Sequence, residues 1–170
     1  MGDLWFCLSD DARLPEAVAP APVARFFRWR DDWCLGISAM DRDHQRLAML
    51  LDQLAAGFGD YGPESPRGQA AQQPLLDRLA VLADETREHF AREEALMRTA
   101  DYPDLGEHRA EHEMMRAELI ELTREIAARG DCRLELDTLR ALKAWFLGHL
   151  LDTDRRLAQH LIRAGLAHRH

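Results

Sequence analysis

Cysteine is scarce in this chain, and its spacing excludes the sites that cysteine commonly builds. The three cysteines, Cys7, Cys34 and Cys132, lie far apart and form no Cys-x-x-Cys pair. Structural zinc sites, iron–sulfur clusters and thiol redox sites usually contain such pairs. We therefore interpret all three cysteines as reduced residues without a chemical role.

Long apolar runs and an excess of basic charge are also missing. No segment approaches the roughly 20 apolar residues that span a bilayer, and the first residues lack the basic start and apolar stretch of a secretory signal. The net charge of −8 argues against nucleic acids and anionic membranes as partners, because both are bound through Lys and Arg. These absences predict a cytoplasmic protein that binds neither.

The remaining composition is that of one domain with an N-terminal arm. The 170 residues, 46% of them hydrophobic, are enough for a single core without disulfides. Residues 1–28 carry three prolines among alanines and are predicted to form the arm, and residues 29–165 are predicted to form the domain. Residues 57–74 hold four glycines and three prolines, which predicts a long loop.

Apolar residues recur every three or four positions in four segments, which predicts four amphipathic helices. A sequence resembling a capping box, Ser38-x-x-Asp41, opens the first helix, and the second begins after Pro74. The third runs from Asp104 to Gly130, and a fourth follows it to residue 165. We find no strand signal and no repeat. The short connections around the third helix predict an all-α, antiparallel up-down four-helix bundle.

Five of the eight histidines lie on the core-facing sides of these helices. A buried imidazole is costly unless a hydrogen bond or a metal satisfies it. Two pairs, His89-x-x-x-Glu93 and His108-x-x-x-His112, each place two donors about 6 Å apart on one helix face. These pairs share one layer of the bundle with His44, and also with His149 and Asp154 if the fourth helix extends a turn or two further.

The donor set indicates two metal ions and a particular chemistry. Five imidazoles and two carboxylates exceed what one tetrahedral zinc accepts, but they suit two octahedral iron ions bridged by carboxylates. Ferritin-like oxidase sites use four carboxylates, commonly with Glu-x-x-His on two helices, and no histidine here has a glutamate three residues before it. The excess of nitrogen ligands predicts reversible oxygen binding over high-valent oxidation.

The seven donors also resemble the ligand pattern of the hemerythrin family. The pattern is complete, and the flanking segments 33–37, 40–45, 89–94, 102–104 and 145–149, together with Trp29, are similar to those of bacterial members. The resemblance spans roughly residues 29–162. It leaves out the N-terminal arm, and the loop 57–74 resembles an insertion relative to compact members.

This resemblance implies an oxo- or hydroxo-bridged pair of iron ions that binds O2. One iron would be held by His108, His112 and His149. The other would be held by His44 and His89, and Glu93 and Asp154 would bridge the two. The second iron would keep an open position for O2. We predict that its pocket is walled by Phe146, Trp145, Leu47 and Met115, for which ordinary core packing is the alternative interpretation.

The spacing of His149 and Asp154 makes a separate structural prediction. Regular α-helix geometry rotates two residues five positions apart by about 140°. For both side chains to reach one metal pair, the turn between them has to widen. We therefore predict a π-type bulge near residues 149–154, a feature common at functional sites.

Several polar residues near the motif are kept out of the site. His160 lies about three turns, or ~16 Å, beyond His149, and His168 and His170 lie in the tail. The acidic neighbours of the ligands are interpreted as surface or capping charges: Asp41, Asp43, Glu94 and Glu111. Support of a ligand by one of Asp41, Asp43 and Glu94 is the alternative interpretation. No residue is predicted to be catalytic.

Three alternatives stay open at this point. The string His108-Arg109-Ala110-Glu111-His112 also matches the H-x-x-E-H motif of inverted zinc proteases, with Glu111 as general base. A di-iron redox enzyme or iron store could use the same seven ligands. A regulatory sensor of oxygen or nitric oxide would keep the chemistry and change its use. We expect a monomer that is not an enzyme.

Overall fold

In a computed structural model of the chain, the described residues, 26–59 and 69–166, form an all-α bundle. Its helices are α1 (Ser38–Phe58), α2 (Gln69–Thr99), α3 (Leu105–Arg129), α4 (Leu136–His149) and α5 (Arg155–Arg163). A π-helical turn, Leu150–Asp154, joins α4 to α5 without a break, so α4 and α5 together form the fourth helix of the bundle. The predicted four-helix bundle is confirmed, and an isolated bridge between Gly59 and Leu134 is the one β-type pairing within the described ranges.

The start of α1 is fixed by Asp41, although not through the predicted capping box. Ser38 is the first helical residue, and the residue before it, Ile37, makes no side-chain cap. The Asp41 carboxylate instead accepts hydrogen bonds from the backbone N–H groups of Leu35 (2.7 Å) and Gly36 (3.1 Å). The capping-box prediction was therefore wrong in its partners, while Asp41 does hold the chain that leads into the helix.

Helix α2 begins earlier than predicted. It starts at Gln69 and continues through Pro74, which the sequence had indicated as its first-turn residue. A proline removes one backbone hydrogen bond, and here the first turns are held by another contact. The buried Gln72 amide donates to the carbonyls of Ile126 (2.9 Å) and Ala127 (3.2 Å) near the end of α3. This tie between two helices explains why the helix extends before the proline.

Glycine ends α3 as predicted. Gly130 takes a left-handed conformation (φ 74°), and its N–H bonds to the Ile126 carbonyl. The chain then crosses to α4 in a few residues, where the Leu134 N–H donates to the Phe58 carbonyl at the end of α1 (2.7 Å). The connection is short enough to place α3 and α4 antiparallel and adjacent.

Only part of the predicted arm and loop falls within the described ranges. Residues 1–25 and 60–68 lie outside them, so the predicted boundary of the arm (1–28) stays a prediction. The predicted loop (57–74) was too long at both ends, because α1 continues to Phe58 and α2 begins at Gln69. Of the arm, Phe27 is buried and packs edge-on against Trp33 (5.7 Å between ring centroids) and Phe146 (5.4 Å). Among the helices that the structure describes, none is both long and apolar enough to cross a membrane.

Candidate metal centre

A widened turn after α4 brings the last carboxylate into the core. Residues Leu150–Asp154 form a π-helix, which confirms the bulge predicted from the spacing of His149 and Asp154. The extra residue in this turn rotates Asp154 back towards the side of the helix that carries His149. Both side chains are buried, and the Asp154 carboxylate lies 3.0 Å from Nε2 of His149.

The structure brings all seven predicted ligands together in one buried layer. Their donor atoms form two groups, and within each group the atoms lie within 4.8 Å of one another. The larger group has five residues and the smaller has four: Glu93, His108, His112, His149 and Asp154; His44, His89, Glu93 and Asp154. Two carboxylates belong to both groups, so the cluster can hold two neighbouring cations.

Asp154 divides its two oxygens between the groups. One oxygen, Oδ2, lies 3.1 Å from Nε2 of His44 in the smaller group. The other, Oδ1, lies 3.2 Å from Nε2 of His108 and 3.0 Å from Nε2 of His149 in the larger group. A carboxylate in this position can bridge two ions, with one oxygen directed to each.

Glu93 divides its oxygens in the same way. Oε1 lies 3.5 Å from Nε2 of His89 and 3.8 Å from Nε2 of His44. Oε2 lies 3.3 Å from Nε2 of His112 and 3.8 Å from Nε2 of His108. The two carboxylates therefore approach the same pair of positions from α2 and from the π-helical turn.

The state of these atoms fits a bound cation. Both oxygens of Glu93 and of Asp154, and Nε2 of His44 and of His108, are buried and have no hydrogen-bond partner in the described part of the chain. They lie close together, yet they are not aligned as donor and acceptor. Buried polar atoms without partners are costly and rare. Converging lone pairs from nitrogen and oxygen would satisfy metal ions of the iron or zinc type.

Burial and the charges of neighbouring groups shift the pKa values of the clustered side chains in different directions when no metal is bound. Burial, followed by repulsion from Asp154, raises the pKa of Glu93 well above its ordinary value. Burial also acts on the pKa of Asp154, but nearby His149 and His108 outweigh it and lower that pKa well below the usual range. Burial and the neighbouring histidines lower the pKa of His112 to about 2.

His149 shows the opposite shift. Burial alone would lower its pKa, but attraction to the Asp154 carboxylate 3.0 Å away and the hydrogen bond with Glu111 raise the pKa to about 10. In the metal-free protein this imidazole therefore keeps a proton at neutral pH. Because metal ligands have to be deprotonated, cation binding would release that proton.

Three acidic residues hold the outer side of three ligand histidines. The Nδ1 of His149 lies 3.1 Å from Oε1 of Glu111, and the Nδ1 of His112 lies 3.4 Å from Oε1 of Glu94. The Nδ1 of His89 lies 3.6 Å from Oδ2 of Asp43. A carboxylate at Nδ1 directs Nε2 inward and fixes the ring. The interpretation of Asp43, Glu94 and Glu111 as surface charges was therefore wrong.

These acidic residues differ in their other contacts. Asp43 also bonds to Arg92 (2.7 Å), and Glu94 is paired with Arg98 and Arg109 (3.6 and 3.3 Å). Glu111 instead accepts a hydrogen bond from Thr153 in the π-helical turn (2.7 Å). This contact ties α3 to the turn that carries Asp154, so Glu111 supports the positions of two predicted ligands, His149 and Asp154.

A cavity of about 10 Å³ lies against the smaller group of ligands. It is bordered by four of the predicted ligands and by six other residues: His44, His89, His149 and Asp154; Leu47, Thr86, Phe90, Met115, Trp145 and Phe146. All four residues predicted to form the pocket wall border it. Its volume is about that needed for the centre of one water-sized molecule.

Sequence reasoning missed Thr86 and Phe90 at this cavity. Phe90 is buried and stacks on His112, with ring centroids 3.8 Å apart and planes inclined by 8°. Thr86 precedes His89 by three residues, so helical spacing alone places it on the same face. That spacing is a signal that could have identified Thr86, whereas the stacking of Phe90 depends on packing between α2 and α3.

The remaining histidines lie away from the cluster or outside the described residues. Nε2 of His160 donates to the carbonyl of Ala100 (3.0 Å), and the ring packs against Tyr102 (5.2 Å), so it fastens α5 to the turn between α2 and α3. His168 and His170 fall beyond residue 166. The structure thus leaves His160 out of the cluster.

Comparisons with known proteins agree with this geometry. The family model described as the hemerythrin HHE cation binding domain matches residues 35–161. The chain is 30% identical to the bacteriohemerythrin of Stenotrophomonas maltophilia over 130 residues, which cover 76% of this chain and 78% of that relative. It is also 30% identical to the bacteriohemerythrin of Ralstonia nicotianae over 138 residues, which cover 81% and 90% of the two chains.

The solved structures show the same fold. A crystal structure of wild-type hemerythrin superposes with a TM-score of 0.67 at 20% identity and covers 80% of this chain and 98% of that one. A hemerythrin point mutant gives a TM-score of 0.68 at 19% identity, with 81% and 98% coverage. Together with the family model, which spans well over half of the residues, these matches show that the chain belongs to the hemerythrin family.

Proposed function

We propose that this protein binds molecular oxygen reversibly at a non-haem di-iron centre. Five residues would hold the first iron and four the second, with the two shared carboxylates as bridges: Glu93, His108, His112, His149 and Asp154; His44, His89, Glu93 and Asp154. Two iron ions held there would supply electrons that can pass reversibly to bound oxygen. The observation that carries the proposal is the division of the oxygens of Glu93 and Asp154 between two unequal groups of histidines.

The inequality of the two groups decides where a ligand binds. The smaller group has one histidine fewer, so its iron would have a position free for an outside ligand. The cavity borders both histidines of this group, His44 and His89. Of the three histidines in the larger group, it borders His149 but not His108 or His112. The cavity is therefore beside both histidines that would hold the iron with fewer ligands, where an outside ligand would have access.

The walls of the cavity suit a small and weakly polar ligand. Leu47, Phe90, Met115 and Phe146 are all buried and present apolar atoms around it. Such walls exclude water, which would otherwise promote irreversible oxidation. Room for about one water-sized molecule beside these histidines matches a small ligand such as O2 or nitric oxide and is too small for an organic substrate. This size favours a binding protein over a di-iron enzyme that oxidises larger molecules.

The contacts of Glu111 argue against the hydrolytic alternative. A general base would have to face the water on a zinc ion held by His108 and His112. Glu111 instead contacts Nδ1 of His149, on the side of that ring opposite Nε2, and also bonds to Thr153. This position orients a ligand but does not reach the inner side of the cluster.

Iron content and oxygen-dependent absorption test the proposal together. The protein reconstituted with ferrous iron should contain two irons per chain and gain a visible absorption band in air that disappears under argon. His44→Ala should lose most of the band and retain about one iron. The matched control is His160→Gln, since this residue lies outside the cluster and glutamine can still donate to Ala100. Absence of the band in the wild-type protein, or a normal band in His44→Ala, would overturn the proposal.

A further inference from the structure

One buried hydroxyl at the cavity has no partner. The Thr86 side chain is 1% exposed, and its Oγ1 makes no hydrogen bond within the described ranges. Other threonines in these helices do use their hydroxyls: Thr99 bonds to the Ala95 carbonyl (2.9 Å) and Thr123 to the Leu119 carbonyl (2.8 Å). A helical threonine commonly bonds the carbonyl four residues earlier. Thr86 departs from this pattern, and an unsatisfied buried hydroxyl requires an explanation.

The position of Thr86 supplies one. It lies three residues before His89 and four before Phe90, so all three share one face of α2. All three border the same cavity, together with His44. Apart from the metal ligands, the cavity is otherwise lined mainly by apolar side chains. The hydroxyl is therefore a donor placed beside the side of the centre where a ligand would bind.

We propose that the Thr86 hydroxyl donates a hydrogen bond to the outer atom of the small ligand bound in this cavity. It would favour ligands with negative charge or a strong lone pair on that atom, such as azide or oxygen that has received electron density from iron. This inference rests on the proposed function and identifies a residue that sets the ligand preference of the same site.

A second donor nearby makes the assignment testable. The Nε1–H of Trp145 is also buried without a hydrogen-bond partner in the described residues, and Trp145 borders the cavity as well. Its side chain additionally lines a groove between α3 and α4 beside Leu119 and Leu142, and it is only partly buried. Thr86 is more deeply buried and lies on the same helix face as His89. We therefore assign the hydrogen bond to Thr86.

The experiment compares azide binding to the oxidised, iron-loaded wild-type protein with Thr86→Val, Thr86→Ser and Trp145→Phe. Valine has the shape of threonine without the hydroxyl, and serine retains it. Azide should bind Thr86→Val about tenfold more weakly, the size expected for a lost hydrogen bond to a charged group. Serine should restore most of the affinity. Trp145→Phe also alters the wall of the cavity, so it can shift azide affinity, but by less than Thr86→Val does.

Stability of the metal-free protein gives a second readout. Removing a hydroxyl that has no partner should not lower the melting temperature of Thr86→Val, and can raise it by about 2–4 °C. Thr123→Val is the matched control, because its hydroxyl bonds to the backbone. It should melt slightly lower and bind azide normally.

Each outcome decides the inference. Unchanged azide affinity in Thr86→Val overturns it, as does a loss of affinity in Trp145→Phe alone. A lower iron content in Thr86→Val would also overturn it, since the hydroxyl would then support His89 and not the ligand. If the wild-type protein binds neither two irons nor azide, the proposed function fails. If it binds both and Thr86→Val binds azide equally well, only the inference about Thr86 fails.

Discussion

The two ends of this bundle are formed by the same four helices but differ in the side chains that make up their cores. At one end the core is apolar and consists of side chains that are almost completely buried, among them Leu54, Leu75, Leu79, Ile126 and Leu139. At the other end the same helices and the π-helical turn bury five histidines and two carboxylates. Burial of apolar side chains stabilises the first end directly, while the second end buries polar atoms that bound cations would satisfy. The comparison teaches that the apolar end holds the helices in the positions that the metal end requires.

Removing iron should separate the two ends most clearly. Without cations the unsatisfied ligands destabilise their surroundings, and the melting temperature should fall by about 10 °C if the ions bind tightly. Hydrogen exchange should increase in segments 40–47, 86–97, 105–115 and 146–157 and change little in 51–58, 72–82 and 119–129. A uniform increase along all helices would show that the ends do not differ in their dependence on metal.

A cavity created in the apolar end should lower the stability of the fold without affecting metal binding. Leu79 is fully buried, and Leu79→Ala should lower the free energy of unfolding by about 2–5 kcal/mol because it leaves a cavity. Its iron content should stay at two per chain. Urea unfolding and metal analysis measure the two quantities on one sample.

Val81→Ala is the control for that substitution, since Val81 is 42% exposed on the same helix. It should change the free energy of unfolding by about 0.5 kcal/mol or less. Loss of iron in Leu79→Ala at temperatures where the protein stays folded would mean that the apolar end does more than support the helices.

Glu111 should have a smaller effect that is confined to the metal end. Glu111→Ala removes the acceptor for His149 and for Thr153, and iron affinity should fall about 10- to 100-fold. Glu111→Gln keeps a carbonyl oxygen that can accept from His149 but loses the charge, so its affinity should lie between those of the wild type and the alanine variant. Competition with an iron chelator measures both. Equal iron affinities in all three proteins would show that Glu111 is a surface charge without a role in metal binding.

The same residue predicts a pH dependence in the metal-free protein. The hydrogen bond from His149, which outweighs burial, lowers the pKa of Glu111 from 4.5 to about 2. A depressed carboxyl pKa stabilises the folded state above the unfolded pKa, and the contribution disappears as pH falls from 4.5 towards 2. The stability difference between the wild type and Glu111→Gln should therefore shrink over that range in urea unfolding. A difference that stays constant with pH would contradict the contact.

The smallest expected change concerns the wall of the cavity. Phe146 is buried between the Phe27 ring (5.4 Å) and the His44 ring (6.2 Å). Phe146→Leu should enlarge the cavity, cost on the order of 1 kcal/mol of stability and speed oxygen exchange and irreversible oxidation a few-fold, because water gains access. Stopped-flow release of oxygen measures the first rate and loss of the visible band the second. Slower exchange would place the ligand elsewhere.

Much of the metal end could be predicted because its information lies within single helices. The spacings that join His89 to Glu93 and His108 to His112 specify a shared face, and the five-residue step to Asp154 requires a widened turn. Contacts between helices carry no such signal. Glu111 on α3 contacts His149 on α4, and Glu94 on α2 contacts His112 on α3. Those side chains look like surface charges until the helices are packed.

The start of α2 was missed for a similar reason. Local preference places a helix start at Pro74, but the bond from Gln72 to the end of α3 extends the helix backwards. That bond exists only once α2 and α3 are side by side. Helix existence was therefore predictable from periodicity, whereas the boundary depended on tertiary contacts.

The most direct test of the central claim is anomalous X-ray diffraction at the iron absorption edge from crystals of the iron-loaded protein. We predict two peaks of equal height, both in contact with Glu93 and Asp154. One peak should lie beside His108, His112 and His149, and the other beside His44 and His89. A single peak, or peaks that appear only at the zinc edge, would contradict the assignment of a di-iron centre to this cluster.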